Sequence, residues 1–170
     1  YVADRNNSVI REIGLDGTVK TLAGSTVKGS TDGPAGTARF NLPSDVASSG
    51  DGSTVYVSDT SNHRIRRISG GIVTTLAGSS YGFANAKGTA ARFRTPRGIA
   101  VDQTGLIYVA DRNNYRIRRI TPAGLVSTLA GSGSGGLLNG AAATSRFNLP
   151  FGVVAGKDGS VFVADRYNHR

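Results

Sequence analysis

The sequence lacks cysteine and contains only two histidines, His63 and His169, which excludes several kinds of functional site. Without cysteine there is no disulfide framework, no zinc–thiolate centre and no cysteine nucleophile. No apolar run approaches the roughly 20 residues that a membrane-spanning helix needs, and no signal-peptide pattern opens the chain. Because Tyr1 already stands inside a strand-like run, we expect the chain to be a segment of a longer, processed or engineered protein.

Acidic residues are also scarce, with 11 Asp and Glu against 20 Lys and Arg, a formal net charge of +9. Glycine is abundant, at 24 of 170 residues. Together with many Thr, Ser and Asn residues, this favours short strands joined by tight turns over long helices. The length corresponds to about one domain.

Three sequence markers recur with one period. The segments YVAD, YVSD, YVAD and FVAD end at Asp4, Asp59, Asp111 and Asp165. Thr-Leu-Ala-Gly follows at 21–24, 75–78 and 128–131, and Arg-Phe-x-x-Pro lies at 39–43, 92–96 and 146–150. The common period is about 54 residues, which is typical of a solenoid, a propeller or an array.

The content of each period indicates a propeller blade. Four short strands with hairpin-length turns are followed by a connection of about 20 residues, as in an antiparallel four-stranded blade that crosses to the next one. Period-2 patterning and turn density exclude helical repeats. We therefore predict an all-β chain of thirteen strands with ordered crossing loops.

The chain supplies about three blades, which we divide into four segments. Residues 1–43 form a partial blade with its outer strands and crossing loop, residues 44–96 and 97–150 form two blades, and residues 151–170 form the inner half of another. Closed propellers have about 4 to 8 blades. We therefore expect half of a six-bladed propeller, closed by a second copy of the chain. The alternative is an excerpt of a longer propeller. The inner-blade segments Tyr1–Asp4 and Phe162–Asp165 duplicate one strand, which argues against a perfect fit of two copies.

The turn after the second strand points to a family. Asn62-His63-Arg64-Ile65, preceded by Val57-Ser58-Asp59 and by Pro43 before the inner strand, resembles the NHL repeat, which is named for Asn-His-Leu at this turn. The third letter here is Arg, as it is in Asn168-His169-Arg170, and the other two copies lack the histidine. The resemblance covers essentially the whole chain. It implies a β-propeller whose relatives include protein-binding scaffolds, RNA-binding faces and enzymes.

The residues favour a protein that is not an enzyme. Lyase relatives hold a metal with several His and acidic ligands, and such sites need at least three. Both histidines belong to the repeated turn, which leaves no Ser-His-Asp set. The G-x-G-x-x-G match at Gly131–Gly136 has no counterpart in the equivalent loops and no following helix. The Asp-Gly pairs at Asp16, Asp51 and Asp158 are typical of hairpins. We therefore expect no catalytic residues, no metal and no cofactor.

Blade topology sorts the charged residues onto two faces. The turns between second and third strands share one face with the crossing loops, and we call it the crossing-loop face. The remaining hairpins, with Asp16, Asp51, Asp102 and Asp158, lie on the other. We expect the first face to be net basic and the second net acidic.

Some of the repeated residues are expected to be structural. The third strands carry arginines with long apolar stems that suit half-exposed positions, and the repeated aspartates are expected to pair with them or to cap the adjacent turn. The repeated phenylalanines are expected to pack where blades meet. This structural set consists of Asp4, Asp59, Asp111, Asp165, Phe40, Phe93 and Phe147. Arg39, Arg92 and Arg146 recur with these phenylalanines and are expected to pack with them where blades meet.

The basic residues of the crossing-loop face that remain are candidates for contact with an anion: Arg5, Lys28, Lys87, Arg94, Arg97, Arg112 and Arg166. The leading hypothesis is a non-catalytic module that presents this face to a macromolecular partner, most simply a protein. The alternative is binding of nucleic acid or another polyanion, and a metal-dependent, lyase-like propeller is a distant third. Aromatic residues for base stacking are few, namely Tyr81, Phe83, Tyr115 and Tyr167.

Overall fold

The computed structural model describes all 170 residues, Tyr1 to Arg170, as short antiparallel strands joined by turns. Fourteen strands form four sheets. The helical segments are four 3₁₀ turns of three residues each, at 60–62, 88–90, 112–114 and 166–168. The predicted all-β class is confirmed.

The strands follow the predicted blade pattern. The first sheet contains β1 (Val2–Asp4), β2 (Val9–Ile13) and β3 (Val19–Gly24). The second contains β4 (Gly33–Pro34), β5 (Asp45–Ser48), β6 (Thr54–Asp59), β7 (Arg64–Ser69) and β8 (Ile72–Ala77), in the spatial order β4-β8-β7-β6-β5. The third contains β9 (Pro96–Val101), β10 (Ile107–Asp111), β11 (Arg116–Ile120) and β12 (Val126–Ala130), in the order β12-β11-β10-β9. The fourth contains β13 (Gly152–Ala155) and β14 (Val161–Ala164).

All thirteen predicted strands are present, and β4 is the one that the sequence did not indicate. It lies in the first crossing loop and pairs with the outer strand of the next blade, Gly33 with Val73 and Pro34 with Ile72. The second crossing loop runs along its neighbour in the same way, because the Val126 N–H donates to the Ala86 carbonyl at 2.9 Å. The crossing loops are therefore ordered, as predicted.

The core lies between adjacent sheets. One buried cluster joins the second and third sheets and includes Tyr56, Ile65, Phe93, Ile99 and Ile107. A second joins the first and second sheets around the fully buried Phe40, and a smaller third cluster joins the third and fourth. Each blade thus buries its faces against its neighbours, as stacked repeats must.

The inner strands β5, β9 and β13 lie side by side, and two contacts fix their separation. The Gly98 N–H donates to the Phe151 carbonyl at 2.7 Å. A Cβ on Gly98 would lie 2.5 Å from that same carbonyl oxygen, so glycine is required there. The Ile99 N–H donates to Asp45 Oδ2 at 2.9 Å, which joins β9 to β5.

Apolar side chains are exposed on the flank of the fourth sheet. Phe162 is 64% exposed and Val154 is 62% exposed. A cavity of about 310 Å³ beside them is lined only by hydrophobic residues, among them Leu129 and Phe147. Exposed apolar patches of this kind are typical of interaction surfaces.

We predict that two copies associate through these flanks and complete each other's blades. Size exclusion with light scattering should give the mass of two chains at all dilutions. Replacing Val154 and Phe162 with Ser should shift the mass towards one chain, whereas Val27→Ser, an exposed apolar position in the first crossing loop, should not. A monodisperse monomer that binds no hydrophobic dye would contradict the prediction.

Candidate functional site

The repeated aspartate of the second sheet is a buried hydrogen-bond acceptor. Asp59 Oδ1 accepts the Asn41 N–H at 2.8 Å, and Oδ2 accepts from Asn62 Nδ2 and from the Arg66 guanidinium, each at 2.8 Å. Asn62 Nδ2 also donates to the Gly29 carbonyl at 2.6 Å. Asp59 and Asn62 together therefore tie the turn after β6 to two parts of the crossing loop that enters this blade.

Arg66 is completely buried, so the expectation of half-exposed third-strand arginines is wrong for this position and for Arg118. The packing of the crossing loop explains the difference. The β-bulge between the third and fourth strands places its extra residue, Leu76 or Leu129, on the fourth strand, whereas the third strand pairs without interruption with the second. The second arginine of each third strand therefore shares a strand face with the buried Ile68 or Ile120, and carbonyls of the crossing loop accept its hydrogen bonds.

The buried Arg66 guanidinium is almost fully satisfied. Besides Asp59, it donates to the carbonyls of Arg39 and Thr31, each at 2.9 Å, and to Asp32 Oδ1 from both Nη2 (2.6 Å) and Nε (3.2 Å). Its partners come from the crossing loop as well as from its own blade, so the ion pair binds the loop to the sheet.

The third sheet repeats this arrangement around Asp111. Its carboxylate accepts from the Arg94 N–H and the Arg118 guanidinium at 2.7 Å and from Asn114 Nδ2 at 2.8 Å. Burial raises the pKa of Asp111 and lowers the pKa of Arg118, and the opposite charge of each partner counteracts the effect. Asn85 stands in this sheet where the second sheet has Asp32, and its Oδ1 accepts from Arg118 Nη2. The Nε of Arg118 has no acceptor.

The remaining repeated residues occupy equivalent places. Asp165 accepts the Asn148 N–H at 2.7 Å and Asn168 Nδ2 at 2.6 Å, and Asp4 accepts Asn7 Nδ2 at 2.9 Å. Phe40 and Phe93 are fully buried between sheets, whereas Phe147 is partly buried beside the third cluster. These positions hold the blades together, which leaves the departures from the repeat as candidates for function.

Asp111→Ala should lower the free energy of unfolding by about 3–5 kcal/mol, because it leaves the Arg118 charge buried and unpaired. Chemical denaturation would measure the loss. The matched control is Arg119→Gln, an exposed position on the same strand, which should change stability by less than about 0.5 kcal/mol. The prediction would be contradicted by a loss below about 1 kcal/mol for Asp111→Ala.

The two histidines lie in turns that require a left-handed backbone, with φ of 57° at His63 and 56° at His169. His63 Nδ1 accepts the Thr95 N–H at 3.2 Å, and its ring packs edge-on against Tyr81 with centroids 5.3 Å apart. His169 is exposed. No three His, Asp or Glu side chains gather into a group that could hold a metal ion.

Stability should fall on mild acidification because of His63. Burial lowers the pKa of its imidazole, so the unfolded chain binds a proton at a higher pH than the native protein. The contribution of His63 to stability is therefore complete above the ordinary histidine pKa of about 6.5 and decreases as the pH drops below that value.

His63→Asn, which retains a residue that tolerates positive φ, should reduce this pH dependence between pH 7 and pH 5. Thermal melts across that range are the measurement. His169→Asn at the equivalent exposed turn is the control and should keep the wild-type slope. An identical slope in His63→Asn would show that His63 does not contribute.

Four of the seven predicted anion-contact residues meet at the inner-strand end of the crossing-loop face. Asp111, at the end of β10, pairs with Pro96 at the start of β9, so the turn that begins at Arg112 lies near the start of β9. The positive charge of Arg112 acts on Arg97 from there. In the fourth sheet the Phe151 N–H donates to the Ala164 carbonyl, which brings the turn carrying Arg166 next to Phe151.

Phe151 contacts two of these arginines. Its ring centroid lies 5.5 Å from the Arg97 guanidinium carbon and 5.3 Å from that of Arg166. Phe151 and Arg97 also line an open cavity of about 160 Å³ together with Ser44 and Asp45. We call the four residues Arg5, Arg97, Arg112 and Arg166 the arginine cluster.

The arginine cluster carries uncompensated charge. Burial lowers the pKa of Arg97, and the positive charges of Arg5, Arg112 and Arg166 lower it further. None of the four forms an ion pair, whereas the buried Arg66 and Arg118 both do. The Asp45 carboxylate, which lines the same cavity, accepts the N–H groups of Val46 and Ile99, and burial raises its pKa.

The other three candidates have different neighbours. The Arg94 guanidinium lies over the ring of Tyr81 at 4.7 Å. Lys28 is exposed on the first crossing loop beside Gly29. Lys87 forms an isolated bridge with Leu125, next to the outer strand of the third sheet.

Phe151 is the site residue that the sequence reasoning missed. It follows Pro150, at the position taken by Ser44 after Pro43 and by Arg97 after Pro96. Three different residues at one repeat position are a departure from the repeat, and this signal could have identified it.

The sheets, the side-by-side inner strands and the repeated crossings define a protein of the β-propeller class. The structure resembles an auxiliary nutrient binding protein from Bacteroides thetaiotaomicron, with a TM-score of 0.76 and 20% identity over 98% of this chain and 42% of that one. It also resembles virginiamycin B lyase from Staphylococcus aureus, with a TM-score of 0.61 and 20% identity over 96% of this chain and 44% of the lyase. At these identities the likeness concerns the fold.

Sequence comparison supplies the family. The family model for the NHL repeat matches residues 40–68, 93–120 and 147–170. NHL repeat-containing protein 2 from Bos taurus is 34% identical over 149 residues, which cover 78% of this chain and 20% of that protein. The chain belongs to the NHL-repeat β-propeller family, as its turn sequences predicted, and spans about a fifth of the length of this relative. No helix is long and apolar enough to cross a membrane.

Proposed function

We propose that the chain is a non-catalytic binding module that presents its crossing-loop face to an acidic surface of a protein partner. The observation that supports this most is the arginine cluster, in which Arg97 and Arg166 both contact the Phe151 ring, the charges of Arg5, Arg112 and Arg166 act on Arg97, and none of the four forms an ion pair. Clustered charge of one sign attracts a partner of the opposite sign and speeds association.

The division between structural and variable positions supports a binding role. The repeated Asp, Asn and Phe residues are engaged in blade contacts, whereas the arginine cluster stands at turn and inner-strand positions on one face. A rigid scaffold with variable residues at the ends of its strands is the usual arrangement of a binding surface.

Two observations favour a role without catalysis. His63 Nδ1 accepts a backbone N–H and its ring packs on Tyr81, so its position is accounted for by the turn. His169 lies exposed in the equivalent turn of another sheet. A lyase-like enzyme remains the distant alternative, and retention of a stoichiometric metal by the purified protein would favour it.

Nucleic acid is the second candidate on the same face. Tyr81 and Phe83 are exposed aromatics, but Arg94 lies over Tyr81 at 4.7 Å and Arg116 lies over Phe83 at 3.9 Å. Rings that already carry a guanidinium are less available for base stacking. We therefore favour the acidic protein surface over nucleic acid.

We predict that the protein binds a fluorescein-labelled poly-glutamate peptide in an anisotropy titration, and that Arg97→Gln/Arg112→Gln weakens binding at least tenfold. The matched control is Arg67→Gln/Arg119→Gln, which removes the same charge from exposed third-strand positions and should change binding less than twofold. Equal losses in the two double variants would refute a specific site. Tighter binding of a single-stranded RNA of matched charge, lost in the same variant, would favour nucleic acid.

A further inference from the structure

We infer that the arginine cluster is a site for a phosphomonoester dianion, carried on a side chain of the protein partner or free in solution. This inference rests on the proposed function because it assigns a ligand to the same face. It adds the chemical class of the group that the four arginines recognise.

The number and type of the cations favour phosphate over carboxylate. All four residues are arginine, whose planar guanidinium donates two parallel hydrogen bonds to an oxyanion. A carboxylate offers one negative charge and two oxygens. A phosphomonoester carries about −1.5 to −2 charges at pH 7 and three terminal acceptor oxygens, which suits several guanidinium groups that gather in one place.

The cluster is partly preorganised without its ligand. Stacking on Phe151 positions Arg97 and Arg166, and the Arg112 guanidinium donates to Asn113 Oδ1 at 2.9 Å. The Nε atoms of Arg97 and Arg112 are buried without an acceptor. Arg97 and Arg112 carry like charges that act on each other. Neither of them forms an ion pair with a carboxylate.

The second sheet shows that the blade does not need this charge. Its residues at the two equivalent positions are Ser44 and Thr60. The Thr60 hydroxyl lies 2.7 Å from the Ser44 hydroxyl and 2.7 Å from the Pro96 carbonyl, and it donates to one of them. Neutral hydrogen bonds thus satisfy the polar groups at these positions. Arginine follows the repeated aspartate in three of the four copies, at Arg5, Arg112 and Arg166, and Thr60 is the exception. The fold therefore accepts a neutral residue at this position, as it does at the position of Arg97.

The shape of the site favours a small group over a nucleotide base. The cavity next to Arg97 measures about 160 Å³, well below the roughly 300–1,000 Å³ of pockets that enclose drug-sized ligands. Two guanidinium groups already lie over the Phe151 ring, which reduces its availability for stacking. Asp45 lines the inner wall and disfavours deep entry of an anion, so the phosphate is expected at the mouth, between the guanidinium groups.

The test compares three labelled nine-residue peptides with the same neutral flanks, carrying phosphoserine, serine or glutamate at the centre. Fluorescence anisotropy at fixed ionic strength should show at least tenfold tighter binding of the phosphoserine peptide than of the glutamate peptide. Arg97→Gln and Arg112→Gln should each reduce this binding at least tenfold, whereas Arg67→Gln and Arg119→Gln should not. Thermal melts check that every variant is folded.

Competition with inorganic phosphate distinguishes the two sources. Weak competition in the millimolar range, against tighter binding of the phosphoserine peptide, supports a phosphorylated partner. Direct binding of inorganic phosphate as tight as that of the peptide, with the same loss in Arg97→Gln, supports a free phosphomonoester. If both the phosphoserine peptide and inorganic phosphate fail to bind better than the glutamate peptide, the inference is overturned.

A separate readout tests the repulsion without a ligand. Relief of repulsion should leave the melting temperature of Arg5→Gln equal to or above that of the wild type in low salt, since Arg5 is exposed and forms no ion pair. A lower melting temperature would mean that Arg5 stabilises the apo protein and would overturn its assignment to the site. If the protein binds poly-glutamate but does not bind phosphate, the proposed function stands and only this inference is rejected.

Discussion

The buried pairing of aspartate with arginine is the interaction on which the blades depend. Asp59 and Asp111 each accept a backbone N–H, an asparagine amide and a guanidinium, and none of these polar atoms could be buried unpaired without a large penalty. Each aspartate–arginine pair connects three parts of the blade by hydrogen bonds: the turn after the second strand, the crossing loop and the third strand. The hydrophobic clusters then fill the space between sheets whose relative positions these polar contacts already determine.

The 16 arginines of the chain fall into two kinds, those paired with aspartate in the interior and those at the surface without an ion pair. Arg66 and Arg118 are neutralised in the interior by repeated aspartates. The cluster at the inner strands has no such partners, and its charge is available to a ligand. The distinction follows from position in the blade and not from residue type, because the crossing loop covers one arginine of each third strand while turns at the strand ends leave others at the surface.

The sequence predicted the strands well because three markers with one period fix the phase of every blade. It also placed Arg5, Arg97, Arg112 and Arg166 on one face, since blade topology alone decides which turns share a face. It could not predict the burial of Arg66, because the segment Arg64-Ile65-Arg66-Arg67 is typical of a half-exposed strand unless the path of the crossing loop that covers Arg66 is known. Nor could it predict that Lys87 forms a bridge with Leu125, next to the outer strand of the third sheet, since that depends on the path of the crossing loop.

The crossing loops also separate the unit of sequence from the unit of structure. The loop that leaves one blade adds β4 to the outer edge of the next and supplies Asp32 and two carbonyls to the buried Arg66 there. The residues of one blade therefore form only part of its polar core, and the crossing loop from the preceding blade supplies the rest. In nearest-neighbour terms, the coupling between blades is built into the interior of each unit as well as its interface, so local opening of one crossing loop would remove hydrogen-bond partners from a buried charge in the following blade.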